Sequence, residues 1–163
     1  MIIERLDEMK GIGRRSAEQI IAEIGIDMDR FPGADNLASW CGLSPGSNES
    51  AGKKKSSKMR NGNKHIRTTM IECAKAAVKS PNTFWCAKYS KLVVRRGANR
   101  ATAAVARAMI VAIYYMIKRN EPFNDLGADY YFTQDEEKMK NKFIRNLGKL
   151  GYDVTLTPQV LDS

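Results

Sequence analysis

A serine- and lysine-rich stretch at positions 42–68, "GLSPGSNESAGKKKSSKMRNGNKHIRT", carries the residue types in this chain that could do chemistry. It places hydroxyls, glycines and cations in close succession and has no apolar periodicity. A serine hydroxyl can attack a phosphodiester when adjacent cations neutralise the developing charge and hold the phosphate in line. The hydroxyls belong to Ser44, Ser47, Ser50, Ser56 and Ser57, and the cations to Lys53, Lys54, Lys55, Lys58 and Arg60.

The residues by themselves indicate no group that would activate such a serine. A hydroxyl is a weak nucleophile without a base or a metal, and His65, the only histidine, would have to supply any Ser-His-Asp arrangement. Cys41, Cys73 and Cys86 are odd in number and widely spaced, which favours reduced, buried thiols over disulfides or a zinc site. Two roles therefore stay open, an active-site loop or a loop that only binds nucleic acid, and the residue types alone favour binding.

Positive charge is concentrated in the middle of the chain. Residues 53–100 hold fourteen basic side chains and one acid, Glu72, whereas residues 1–52 hold five basic and nine acidic ones and residues 101–163 hold eight of each. Lysine and arginine close to phosphates release counterions that had condensed on nucleic acid. The distribution predicts a polyanionic partner, although a solvated surface would have the same composition.

The elements that must position this stretch are predicted to be helical. At the start, "GIGRRSAEQIIAEIG" follows a shorter amphipathic segment and resembles the helix-hairpin-helix motif of DNA-binding proteins. In that motif the glycines of the turn let backbone N–H groups reach a phosphate at a helix N-terminus. The predicted contacts are Gly11, Gly13, Arg14 and Arg15, and the alternative is a tight helix-helix turn that binds nothing.

Further along, Asn63 is a predicted N-cap, and helical periodicity runs from residue 66 to Pro81. Lys64 and Arg67 lie in this segment and extend the predicted nucleic-acid surface. Two helices follow, the second being the Ala-rich segment "NRATAAVARAMIVAIYYMIKRN", whose apolar residues lie on most of its circumference and predict a central helix. The turn between the two carries a second cationic cluster, for which nucleic-acid binding and helix capping are both open: Arg95, Arg96 and Arg100.

The predicted fold class is all-α in the main, a helical bundle that begins with a helix-hairpin-helix. Residues 1–120 are predicted to form the helical domain, with a loop at 44–63, and residues 121–163 a linker, an amphipathic helix and a possible short strand, "YDVTLT". The chain shows no signal peptide at its start, and its longest apolar run is broken by Arg107. We expect a cytoplasmic, DNA-associated protein with no membrane partner.

The motifs taken in order resemble the C-terminal domain of the DEDD-type insertion-sequence transposases, the IS110 family, which also includes the Piv DNA invertases. The resemblance rests on "GIG...A..IIAEIG", "F..A..LASW.GLSPG..ESAGK", "GN.HIR" and "Y..L..RRG..RA..AVAR", and it runs from about Gly11 to Arg119. The tail ending "LGYDVTL" is similar to the family's C-terminal end.

The resemblance implies that this domain supplies a serine that becomes covalently joined to DNA. On the family pattern this nucleophile is Ser50, in "ESAGK", with Ser47 as the substitute. The family's RuvC-like N-terminal domain binds magnesium through four acids, so no metal ligand is expected in these 163 residues, and the segment on its own is expected to be inactive. A structured guide RNA and a homo-oligomer are further implied partners of the full-length protein.

Two other functions stay open at this stage. One is a non-catalytic helix-hairpin-helix module of a repair or recombination protein, which would bind DNA without using Ser50. The other is an oligomerisation domain, in which the Ala-rich helix and the lone strand would contact other copies.

Overall fold

The computed structural model describes residues 1–44 and 62–157, together with the backbone of residues 48–50 and 53–56. Contacts divide the chain into a first unit, Met1–Ala128, and a second unit, Asp129–Ser163. The described residues are mainly helical, which confirms the predicted fold class. Their elements are α1 (Ile2–Glu8), α2 (Arg14–Ile24), a 3-10 turn (Met28–Arg30), α3 (Ala34–Trp40), β1 (Asn48–Ser50), β2 (Lys53–Ser56), α4 (Lys64–Ala77), α5 (Phe84–Arg96), α6 (Ala98–Arg119) and α7 (Tyr130–Lys149).

The Ala-rich helix α6 lies at the centre of the first unit, as its composition predicts. It contacts α3, α4, α5 and the 3-10 turn, and its buried side chains include Val105, Met109 and Ile113. Arg107, which interrupts the apolar run, donates from Nη2 to Asp35 Oδ1 at 2.7 Å and so ties α6 to the first turn of α3. Within the part of the chain that the structure describes, α6 is the one helix long and apolar enough to cross a membrane. Its packing inside the bundle accounts for that composition.

The α1–α2 hairpin packs against α4 through Gly11. This residue has a φ of +91°, and a Cβ placed on it would lie 2.5 Å from both the Ala77 Cβ and the Cys73 carbonyl oxygen. No side chain fits there, because the contact is with the backbone of another helix. At the other end of α2, Gly25 is the C-cap of the helix.

Residues 121–128 belong to the first unit, although the sequence places the domain boundary after residue 120. The ring of Phe123 stacks on Trp85 with centroids 5.2 Å apart. Asp125 Oδ1 accepts the backbone N–H of Phe84 at 2.8 Å and so stabilises the N-terminus of α5, alongside the Thr83 cap.

The three cysteines are free thiols, in agreement with the sequence reading. Cys41 and Cys73 are buried and Cys86 is partly buried. Burial raises the pKa of Cys41 to about 12 and also raises that of Cys73. Both buried thiols are therefore poor nucleophiles at neutral pH, which fits a packing role.

In the second unit, α7 is amphipathic, as predicted, and ends in a glycine cap. The N–H of Tyr152 donates to the Leu147 carbonyl at 3.1 Å and that of Gly151 to Gly148 at 3.0 Å. This is the Schellman arrangement, with Gly151 at a φ of +87°. None of the side chains on α7 is buried.

Two expectations about local structure are wrong. The sequence predicts a loop over 44–63, but β1 and β2 pair as an antiparallel hairpin within it. These two strands lack the apolar alternation by which a strand is usually predicted from sequence. The predicted strand at 152–157 is absent from the structure, which has no regular element there. A strand needs a ladder partner, and the two strands in the described residues pair with each other.

The Gly11 contact makes a testable prediction about stability. Gly11→Ala should lower the free energy of unfolding by about 2–4 kcal/mol, since it adds a clash with α4 to a positive φ. The matched control is Gly13→Ala, where a Cβ meets nothing within 4 Å and φ is −96°; it should cost less than about 1 kcal/mol. Chemical denaturation of the 163-residue chain measures both, and equal losses would contradict a tight contact at Gly11.

Candidate nucleic-acid interface

The serine- and lysine-rich segment is fixed to the bundle at both of its ends, which together are called the base of the segment. At its far end, a Cβ on Gly62 would lie 2.5 Å from Gly42 Cα and 2.6 Å from the Trp40 carbonyl oxygen. The N–H of Asn63 donates to that same carbonyl at 3.0 Å. At its near end, the Leu43 N–H donates to the Ala38 carbonyl at 2.9 Å, and the Leu43 side chain is buried. Both ends of the segment are therefore held side by side, between the end of α3 and the start of α4.

Asn63 joins this base to two helices. Its Oδ1 accepts the N–H groups of His65 at 2.9 Å and Ile66 at 3.4 Å, so the predicted N-cap is confirmed. Its Nδ2 donates to Glu23 Oε2 at 2.7 Å, near the end of α2. One side chain thus begins α4 and fixes it to α2 beside the segment.

Within the segment, the hairpin sets the order of the candidate residues along the backbone. Ser50 is the last residue of β1 and pairs in register with Lys53, the first residue of β2. Glu49 pairs with Lys54, and Lys55 continues β2. Ser50 and the lysines therefore follow one another around the end of the hairpin. Ser47, Lys58 and Arg60 lie outside the described residues.

One serine of the sequence set has a structural partner. Ser44 is buried, and its hydroxyl accepts a hydrogen bond from Ser39 Oγ at 3.0 Å. This pair lies inside the base of the segment, so Ser44 is not free to act on a substrate there.

A polar cleft of about 490 Å³ lies next to this base, between α2 and α4. Lys64, a predicted nucleic-acid residue, lines it, while Arg67 is partly buried outside it. The sequence reading missed the other residues of this lining. They are Gln19, Ala22, Glu23, His65, Thr68 and Thr69. The i, i+3 and i+4 spacing on each helix could have shown that they share a face.

The predicted helix-hairpin-helix contacts lie at the opposite end of α4. Gly11 packs near Ala77, at the C-terminus of α4, whereas Glu23 meets Asn63 at its N-terminus. The helix has fourteen residues, which places the two ends about 20 Å apart. Gly13 is the N-cap of α2 and has open space around it, and no side chain caps this helix end. Arg15 is exposed, and Arg14 Nε pairs with Glu18 at 3.2 Å.

The third predicted cluster lies at the corner between α5 and α6. Arg95 and Arg96 are exposed in the last turn of α5, where cations also favour the helix macrodipole. Arg100 is exposed in the first turn of α6. The other end of α6 is held by Arg5 Nη1, which donates to Asn120 at 2.6 Å. Those two ends are about 30 Å apart, so the corner is distant from α1.

Three or more histidine, cysteine, aspartate or glutamate side chains do not come together as a metal site anywhere in the described residues. Glu23, the acid beside the base of the segment, accepts a hydrogen bond from the side-chain amide of Asn63. These residues do not fit a magnesium centre by themselves.

Comparison with known proteins identifies the family of this chain. Residues 3–91 match the model described as "Transposase IS116/IS110/IS902 family", a range that contains α1 to α4, the hairpin and the segment base. The chain belongs to the IS116/IS110/IS902 transposase family. It is also 27% identical over 127 residues to the transposase for insertion sequence element IS1111A of Coxiella burnetii (strain RSA 493 / Nine Mile phase I). That alignment covers 74% of this chain and 34% of the relative, so the chain spans about a third of the relative's length.

In this transposase-family chain, the cap at Asn63 predicts how firmly the segment is anchored. Asn63→Ala should lower the free energy of unfolding by about 1–2 kcal/mol, because two N–H groups of α4 lose their acceptor. Asn63→Ser keeps an acceptor oxygen but loses the amide donor to Glu23, and we expect a loss of less than about 1 kcal/mol. Denaturant titration distinguishes the two variants. A neutral Asn63→Ala variant would show that the cap does not hold the base.

Proposed function

We propose that these residues form the part of a DNA transposase that binds DNA and supplies Ser50 as the nucleophile for strand cleavage and transfer. The observation that carries this proposal is the position of Ser50 at the end of a hairpin with a fixed base, inside the range that matches the transposase family. Duplex DNA is a wide and stiff polymer, so a serine that attacks it must project from the protein. A hairpin with a fixed base can hold Ser50 in such a position.

The reaction follows from the chemistry of serine and phosphodiesters. Ser50 Oγ attacks the phosphorus of a backbone phosphate, its proton passes to solvent, and an ester forms between the serine and the phosphate. The bond from phosphorus to one deoxyribose oxygen breaks, and that oxygen takes up a proton. Lys53, Lys54 and Lys55 follow Ser50 along the hairpin, and their charge offsets the negative charge that develops on the phosphate.

DNA binding extends beyond the hairpin in this proposal. The two ends of α4 are about 20 Å apart, close to the length of six base pairs of duplex DNA. Lys64 and the hairpin lysines would contact phosphates at one end, and Gly13, Arg14 and Arg15 at the other. The N–H groups at the start of α2 and the adjacent arginines suit a phosphate there. Arg95, Arg96 and Arg100 would extend the contact to a third point.

Activation of Ser50 is assigned to parts of a longer polypeptide. The described acids do not come together as a metal site. The family resemblance assigns the magnesium-binding carboxylates to a different domain and adds a structured guide RNA and further copies of the transposase as partners. On this proposal the 163-residue chain binds DNA but does not cleave it.

A non-catalytic DNA-binding module is the second candidate, and the α1–α2 hairpin favours it. The short helix α1, the turn with Gly11 and Gly13 and the uncapped start of α2 are the parts that a helix-hairpin-helix would need. Such a module would bind through this turn and would be indifferent to Ser50.

The first prediction concerns binding by the 163-residue chain. Replacing Lys53, Lys54 and Lys55 with Gln should weaken DNA binding and reduce the slope of log K against log salt by about 2–3, since each lost phosphate contact releases about one fewer counterion. The control replaces Lys88, Lys91 and Lys118 of α5 and α6 with Gln, which removes the same charge from positions outside the proposed interface. Fluorescence anisotropy at several salt concentrations measures both. Equal effects of the two triple variants would mean that only net charge matters.

The second prediction concerns covalent chemistry in a complete transposase that contains this segment, supplied with magnesium, RNA and labelled DNA. We expect a protein–DNA adduct on a denaturing gel, and Ser50→Ala should abolish it while leaving DNA binding intact. Ser56→Ala is the matched control, because Ser56 lies on the same hairpin and pairs with Asn48. Loss of the adduct in Ser47→Ala instead would move the nucleophile to that position. An adduct that survives all three changes, or never forms, would favour the non-catalytic module.

A further inference from the structure

The second unit exposes an apolar stripe along α7 and its C-cap, Leu150. Phe132 is 72% exposed, Met139 57%, Phe143 59% and Leu150 73%, and Leu147 is exposed with them. At 100° per residue these positions fall within about 80° of one another, so they form one face. Large apolar side chains on one face of a helix are the usual mark of a protein contact.

The charges of α7 are divided between its two halves. Residues 129–137 hold four acids and no basic residue, namely Asp129, Asp135, Glu136 and Glu137. Residues 138–149 hold five basic residues and no acid, namely Lys138, Lys140, Lys142, Arg145 and Lys149. Acids near the N-terminus and bases near the C-terminus stabilise a single helix through its macrodipole, so this charge order alone does not indicate a partner. The exposed apolar stripe on the same helix does indicate a partner.

We propose that α7 pairs with α7 of a second copy of this chain, in antiparallel orientation, through the stripe of Phe132, Met139, Phe143, Leu147 and Leu150. A parallel pair would place acidic half against acidic half and basic half against basic half. An antiparallel pair places each acidic half beside the basic half of the other copy, so the helix is complementary to itself. In a two-fold dimer the same patch of each copy forms the contact, so the stripe on α7 provides the surface of both partners.

The spacing of the stripe also fixes the register. Its five residues are centred near residue 141, and a two-fold axis there places Phe132 opposite Leu150 of the other copy and Met139 opposite Phe143. Phe132, Met139, Phe143 and Leu150 therefore meet along the centre of the pair.

The oligomeric state of the 163-residue chain tests the stripe. By sedimentation velocity at about 100 µM protein, we expect a dimer for the wild type. Met139→Asp should weaken dimerisation at least tenfold, because it buries a charge in the contact. Asn141→Asp adds the same charge on the opposite face and should leave the dimer unchanged. Circular dichroism confirms that both variants stay helical. A monomeric wild type, whatever other surface it binds, or equal effects of the two variants, would overturn the proposal.

A distance measurement tests the orientation. With a spin label on Lys149→Cys in a Cys86→Ser background, the two labels should be about 25 Å apart in the antiparallel pair and about 10 Å in a parallel one. The shorter distance would overturn the antiparallel assignment. Neither measurement involves Ser50 or DNA, so both outcomes are separate from those that test the proposed function.

Discussion

Close backbone contacts at both ends of α4 are the constraint on which the candidate interface depends. At the C-terminus Gly11 meets Cys73 and Ala77, and at the N-terminus Gly62 meets Gly42 and the Trp40 carbonyl. Each contact is so close that a methyl group would not fit, and each is with backbone that cannot rotate away. The helix is therefore held in position between the α1–α2 hairpin and the serine- and lysine-rich segment, and it sets the spacing between them.

The family match and the core of the fold coincide only in part. The matched range, residues 3–91, contains the hairpin, its base and both glycine contacts, but it ends within α5. Helix α6, which packs against α3, α4 and α5, comes afterwards. The α1–α2 turn and the serine- and lysine-rich segment thus lie within the family pattern, whereas the corner with Arg95, Arg96 and Arg100 lies outside it. The buried face of α6 contributes packing, for which many sequences are equivalent.

The two units differ in how far their apolar side chains are buried. In the first unit most large apolar side chains of α6 are enclosed by neighbouring helices, and Arg107, which interrupts its apolar run, is paired with Asp35. In the second unit α7 buries none of its side chains and presents Phe132 and Phe143 outward. Most of the stability of a helix in a protein comes from the packing of its apolar face. A helical partner for α7 would provide the contacts that the first unit finds internally.

The sequence by itself determined the local features of this protein. The helical class, the central position of α6 and the caps at Gly25 and Asn63 follow from periodicity and from the conformational preferences of single residues, which act over a few positions. The resemblance carried by "ESAGK" and its neighbouring motifs also led to the correct family, because a motif is a local pattern.

Only the tertiary structure decided how those features meet. Three contacts depend on which elements pack together. Gly11 lies against α4, Ser44 accepts a hydrogen bond from Ser39, and His65 lines a cleft with Glu23. The structure also separates the arginines after Gly13 from the base of the lysine-rich segment by the length of α4. Periodicity along the chain also failed to predict the hairpin and wrongly predicted a strand at 152–157, because strand formation depends on a pairing partner elsewhere in the chain. Such contacts join residues tens of positions apart, and periodicity along the chain carries no record of them.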